Sequence, residues 1–283
     1  MDTQLIGVDF SSRPTARKPV VVALGDAHAG RVRLQAWERF HTLEAFGAWL
    51  RHTPRWIGGF DLPFGLPREL VAALGWPLDW GPCMDLYAGL TRARIRDTFA
   101  AFCAARPVGA KFAHRACDRP AGSSPSMKWV NPPVAYMLHA GVPLLRAAQA
   151  HFPAHFPAHL PAHLPAQEPA QPNAARVALE AYPGLLAREI VGHRSYKSDD
   201  VARQTDERLL ARLAIADALI EGRTRLAMTV ELDSAQQTTL VDDASGDTLD
   251  AVLCLVQAAW AAGQPRWGLP AHVDPLEGWI VSA

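Results

Sequence analysis

Three short apolar runs in this chain each close on a carboxylate. Leu5-Ile6-Gly7-Val8-Asp9-Phe10 carries Asp9, Trp56-Ile57-Gly58-Gly59-Phe60 leads into Asp61, and Val177-Ala178-Leu179 leads into Glu180. Such runs read as buried strands of an α/β sheet, and an acid at the end of one is held in place by its buried neighbours. A later segment adds a pair: Asp247 and Asp250 open an apolar helix and, three apart, are neighbours on its first turns. A buried carboxylate without a partner is costly. Several that converge repel by roughly 4 kcal/mol per pair at about 4 Å and an effective dielectric near 20. Protons or a cation must then compensate, and magnesium or manganese is the natural choice for an all-oxygen site.

The spacing of apolar residues predicts strands at residues 3 to 10, 19 to 24 and 32 to 37, with a hairpin turn at Gly25 to Gly30. A helix is expected from Leu43 to Arg51, a fourth strand before Asp61, and a fifth at Arg176 to Glu180. Pro63 and Pro67 force the chain out of the sheet after Asp61. Helical patterning returns at Met84 to Ala105 and Pro133 to Ala150, as a basic insertion into a single domain over residues 1 to 283. After a turn at Tyr182-Pro183-Gly184 come helices to about Val191, from Asp199 to Glu221, and from Ser245 to Ala262, the last stopped by Gly263.

Residues 151 to 172 repeat His-Phe-Pro-Ala and His-Leu-Pro-Ala with period four, and a proline every fourth residue forbids a helix. In a polyproline II conformation successive histidines stand about 12 Å apart, too far for one metal ion. The tract is expected to be a surface linker; metal or partner binding by His151, His155, His159 and His163 is the other reading.

Basic and acidic residues both number 28, which excludes a uniformly basic coat but not local patches. Between Arg92 and Lys128 lie eight basic residues and two acids, whereas Glu231 to Asp250 holds six acids and no basic residue. Cys83, Cys103, Cys117 and Cys254 form no C-x-x-C pair, so reduced thiols are expected rather than a zinc knuckle or disulfide framework. No apolar run approaches the roughly 20 residues that span a bilayer, and no positive N-terminal region precedes one. A cytoplasmic protein is expected.

Taken singly, each acid has a structural explanation. Asp247 suits a helix N-terminus, Asp61 before Leu-Pro suits a turn, and Asp9 and Glu180 suit strand ends that cap loops. The joint pattern is harder to explain that way. Gly7-Val8-Asp9, Phe60-Asp61-Leu62-Pro63-Phe64-Gly65-Leu66-Pro67, Glu180-Ala181-Tyr182-Pro183 and Asp247-Thr248-Leu249-Asp250-Ala251 resemble, in that order, the domain of unknown function family number 429. These are predicted nucleases of the ribonuclease H-like fold, and the chain is also similar to the Holliday-junction resolvase branch of that superfamily.

The resemblance implies a five-stranded mixed sheet in order 3-2-1-4-5 with helices on both faces. It implies Asp9, Asp61, Asp247 and Asp250 as ligands of Mg2+ or Mn2+, and Glu180 as a residue of the family's own motif. Phosphodiester hydrolysis by two divalent ions roughly 3.5 to 4 Å apart would need no nucleophilic side chain. Lys197 is expected to contact the scissile phosphate, to steady an acid, or simply to be solvated. The Arg92 to Lys128 patch, with Lys111 and Arg115, is the candidate for flanking phosphates of DNA or RNA, although Arg115 with Asp118 also reads as a structural ion pair. Two competitors stand beside this expectation. One is a sugar- or acetate-kinase-like phosphotransferase in which Asp9-Phe10-Ser11-Ser12 starts a phosphate hairpin, but no Gly-rich second phosphate loop is present. The other is a non-catalytic binding module on the same fold.

Overall fold

A computed structural model describes residues 3–156 and 175–283. Strands β1 (Gln4–Asp9), β2 (Val20–His28) and β3 (Arg31–Phe40) form an antiparallel meander. Helix α1 (Leu43–His52) returns the chain to β4 (Trp56–Phe60), which pairs with β1 in parallel. Then α2 (Arg68–Ala73), α3 (Trp80–Ala88), α4 (Arg92–Ala104), the single turn α5 (Asp118–Ala121) and α6 (Val134–Ala147) precede β5 (Arg176–Glu180), parallel to β4. Helices α7 (Pro183–Val191) and α8 (Asp206–Ile220), strand β6 (Thr229–Glu231), and helices α9 (Ser234–Asp242) and α10 (Asp247–Ala262) complete the described elements.

The sheet runs β5-β4-β1-β2-β3-β6. The adjacency expected for five strands is present, but the count is six: β6 extends the sheet beyond β3, in parallel, with Arg31 opposite Thr229. Three residues with one buried side chain, Val230, are too few to show a period of two. The predicted hairpin turn is also tighter. Strand β2 continues to His28, and only Ala29 and Gly30 turn, both at positive φ as a two-residue I′ hairpin requires.

Two helix expectations split. Met84 to Ala105 is α3 and α4, separated at Gly89-Leu90, because the Thr91 hydroxyl accepts from the Arg94 amide and starts a new helix. The stretch from Asp199 becomes helical only at Asp206, since the Asp200 side chain takes the Ala202 amide and favours a local 3-10 turn. Helix α9 was not foreseen, although Asp233 and Gln236 form a reciprocal capping box at its start.

The pleat sorts the strand residues into two layers. Ile6, Val8, Phe10, Val20 and Val22 face a core shared with α1, α3, α4 and α6, while Leu5, Val21 and Ala23 face α7, α8 and α10. The His-Pro tract begins inside the first layer rather than on the surface. His151 bridges to Val177, Phe152 is buried, and the His155 ring stacks on Trp80 at 4.6 Å with Nδ1 2.7 Å from the Pro275 carbonyl oxygen. Burial lowers the His155 pKa to about 3, so it is a neutral packing residue. His159 and His163 lie outside the described residues. The four cysteines are free and buried, and no described helix is long and apolar enough to cross a membrane.

Helix α10 lies directly on β1 and β4. A Cβ at Gly7 would collide with the Ala251 carbonyl oxygen and the Leu255 amide nitrogen, and one at Gly59 with the Cys254 carbonyl oxygen. Glycine in a strand is the means to such close backbone approach. Gly7→Ala should therefore cost at least about 3 kcal/mol of stability in urea unfolding, the upper range for overpacking. Gly81→Ala, in α3 with open space around the added methyl, should be neutral or slightly stabilising.

Candidate metal centre

Strands β1, β4 and β5 run in one direction, so Asp9, Asp61 and Glu180 arrive at the same edge of the sheet. The pleat then separates them. Gly7 faces α10, and Asp9, two residues on, shares that face; Gly59 and Asp61 repeat the pattern, with the Asp61 amide still bonded to the Val8 carbonyl oxygen at 2.9 Å. Glu180 stands opposite Phe60, and Phe60 opposite Val8. Its register is one residue out of step, which puts it on the other face.

The close seating of α10 brings Asp250 to the first two acids. Carboxylate oxygens of Asp9, Asp61 and Asp250 lie within 4.8 Å of one another, with Asp9 and Asp250 buried and Asp61 half-buried. The protein solvates them unequally. Asp250 is fully buried, and both its oxygens are taken: Oδ1 accepts from the Tyr196 hydroxyl at 2.6 Å and Oδ2 from the Lys197 ammonium. Lys197 fits because Gly246, the residue before α10, has φ +76° and no side chain where the lysine stem packs. No side-chain hydrogen bond reaches Asp9 or Asp61 among the described residues. Burial first, then Asp247, raises the Asp9 pKa well above the usual carboxylate range, and burial with Asp250 pushes Asp61 up to about 7.

Asp247 lies outside the trio and has its own cation. Its Oδ1 accepts from Lys18 at 2.6 Å, and Lys18 also reaches Asp199 at 2.9 Å. Burial still pushes Asp247 up against that pairing. Asp9, Asp61, Asp247 and Asp250 face only two ammoniums, Lys197 and a Lys18 shared with Asp199, so when ionised they carry more negative charge than the chain balances. Three oxygen-bearing side chains on rigid elements suit Mg2+ or Mn2+, so the residues fit the expected ion.

Glu180 belongs to a different structure. Arg115 binds it through two parallel contacts, at 2.6 and 2.8 Å, and also holds Asp118 at 2.9 Å, with all three side chains nearly inaccessible. Glu180 Oε2 accepts from the Phe64 amide at 2.9 Å, and Glu277 accepts from the Arg68 and Ala116 amides. This network clamps the chain that leaves Asp61, and Gly65 is pressed against the Leu276 and Glu277 carbonyls. Burial raises the Glu180 pKa while Arg115 opposes it.

The expected basic patch does not form one free face. Arg115 is saturated by carboxylates, the structural alternative weighed above; Arg106 pairs with Glu69 and Arg96 with Asp97, while Lys111 and Arg119 are exposed. Lys18 and Tyr196 were missed. Nothing in their local sequence links them to the acids, apart from the adjacency of Tyr196 to Lys197.

A family model described as "Protein of unknown function (DUF429)" matches residues 7–274, and the chain belongs to that family. Searches of curated proteins and of solved structures returned no match.

Unequal solvation gives opposite signs to two similar substitutions in metal-free protein. Asp9→Asn should stabilise by about 1 to 2 kcal/mol by removing repulsion, whereas Asp250→Asn should cost about 1.5 to 3 kcal/mol by removing the charged acceptor of Tyr196 and Lys197. Asp61 titrates higher in the folded than in the unfolded chain, so the folded state holds its proton more tightly. Stability is full below the unfolded pKa and is lost as pH rises from about 4 through about 7. The loss is up to roughly 4 kcal/mol by the size of the shift and should be smaller in Asp61→Asn. Urea unfolding midpoints with EDTA between pH 4.5 and 8 check all three.

Proposed function

We propose that this family member is a divalent-metal-dependent nuclease, hydrolysing phosphodiester bonds on a ribonuclease H-like scaffold. One observation carries the reading: Asp9, Asp61 and Asp250 converge at the edge of the parallel strands with more negative charge than the chain balances. Strand order supports the scaffold, because the β5-β4-β1-β2-β3 portion has the adjacency expected of that fold, with β6 as an addition.

Asp9, Asp61 and Asp250 would hold Mg2+ or Mn2+. When bound, such an ion supplies Lewis-acid polarisation of a phosphoryl oxygen and makes a water nucleophile available at neutral pH. The protein's own groups supply the rest. Asp9 and Asp250 are positioned by β1 and α10, Asp250 with its two oxygens accepting from Tyr196 and Lys197. Tyr196 and Lys197 orient Asp250, and Lys197, half-buried and charged, adds positive potential where negative charge develops in the reaction. The Glu180-Arg115 clamp positions Asp61 through the Phe64 amide rather than touching substrate.

Single-stranded, duplex, hybrid and branched nucleic acids incubated with Mg2+ or Mn2+ test this. Cleavage is expected, abolished by EDTA and reduced more than about 100-fold by Asp9→Asn, since outer-shell partners alone are worth 10- to 100-fold. No cleavage of any substrate with either metal, or cleavage that survives Asp9→Asn, would overturn the proposal.

A further inference from the structure

The chain that leaves Asp9 is basic. Residues 11 to 18 read Ser-Ser-Arg-Pro-Thr-Ala-Arg-Lys, and no acid lies between Asp9 and Asp26. Two tethers hold this loop beside the carboxylates. At its start Arg92 donates to the Ser12 carbonyl oxygen at 2.6 Å, and at its end Lys18 is fixed to Asp247 and Asp199. Between them a turn is closed by the Thr15 amide on the Lys18 carbonyl oxygen at 3.0 Å and the Lys18 amide on the Thr15 hydroxyl at 3.1 Å.

Lys18 is consumed by its two carboxylates, but the other two cations of this segment are not. Arg13 and Arg17 are exposed, and among the described residues no carboxylate pairs with either. Arg92 also has no carboxylate partner; its guanidinium lies over the Tyr136 ring at 5.1 Å. Burial and then the charge of Arg13 lower the Arg92 pKa, so the two guanidiniums stand close enough to repel. Like charges held together without counterions, by specific tethers, mark a place for an external anion. By chain length alone, four residues at about 3.5 Å each, the Arg13 Cα is at most about 14 Å from the Asp9 Cα, the scale of a few nucleotides.

We propose that the 11–18 loop, together with Arg92, forms a rim that binds the phosphates flanking the scissile one, so that the carboxylate centre acts on a nucleic-acid strand rather than a small phosphate ester. This rests on the reading of that centre as a phosphodiester hydrolase. Arg13 and Arg17 are the contacts, Lys18 closes the rim against α10, and Arg92 braces its start.

Fluorescence anisotropy of a labelled 15-nucleotide single strand, with EDTA and a salt titration, reads the rim without catalysis. The Arg13→Ala/Arg17→Ala variant should bind about 10-fold more weakly at 100 mM salt. The slope of log K against log salt should fall by about 1.4, two contacts at about 0.7 each for a single strand. In cleavage assays its KM should rise while kcat stays within about 3-fold of wild type. Unchanged affinity and slope would overturn the rim while leaving the hydrolase intact if wild type still cleaves. Strand binding with the expected loss, but no cleavage by wild type, supports the rim and sinks the hydrolase. Wild type that binds no strand overturns the rim, as does thermal stabilisation by ATP alone, which would make the anion a nucleotide phosphate. The same loss from Lys111→Ala/Arg119→Ala, with the loop variant unchanged, would also overturn it.

Discussion

Everything at the candidate centre depends on how closely α10 lies on the sheet. Gly7 and Gly59 remove the two side chains that would hold the helix off, so the backbone from Ala251 to Leu255 rests against β1 and β4. Glycine costs strand stability through conformational entropy. The return here is positional: immediately before the contact, Asp250 meets Asp9 and Asp61, which emerge from the same two strands, each two residues past the glycine that admits the helix. Packing and chemistry are therefore set by one geometric fact.

That seating concentrates negative charge, and the fold answers it unevenly. Lys197 and Tyr196 solvate Asp250, and Lys18 answers Asp247, but Asp9 and Asp61 have no side-chain hydrogen bond among the described residues and lie in the field of Asp247 and Asp250. Burial raises both of their pKa values for that reason. On the opposite face, Glu180 has an arginine, shared with Asp118, and a backbone amide. Two acids that look alike in sequence thus differ in kind: one is compensated internally, while the other has no compensating side-chain partner among the described residues.

Much of this was legible in the sequence. Apolar runs that end on acids located β1, β4 and β5 and their shared edge, and a three-residue spacing located the start of α10. Period-two patterning did not convey register, so it could not say that Glu180 pairs across from Phe60 and points away from Asp9. Lys18 and Tyr196 escaped because their partners are 229 and 54 residues away in the chain. Strand β6 was too short to show a pattern. The first residues of the His-Pro tract were misplaced because composition suggested a solvated linker, whereas Phe152 and His155 pack on Phe64 and Trp80. Of the basic residues between Arg92 and Lys128, Arg96, Arg106 and Arg115 pair with carboxylates, which charge along a sequence does not reveal.

Crystals soaked in Mn2+, with data collected at the manganese absorption edge, test the central claim most directly. The account predicts an anomalous peak bounded by the carboxylates of Asp9, Asp61 and Asp250, with Glu180 still bound to Arg115. A soaked crystal with no peak among those three side chains, or with manganese bound only elsewhere on the molecule, would contradict it.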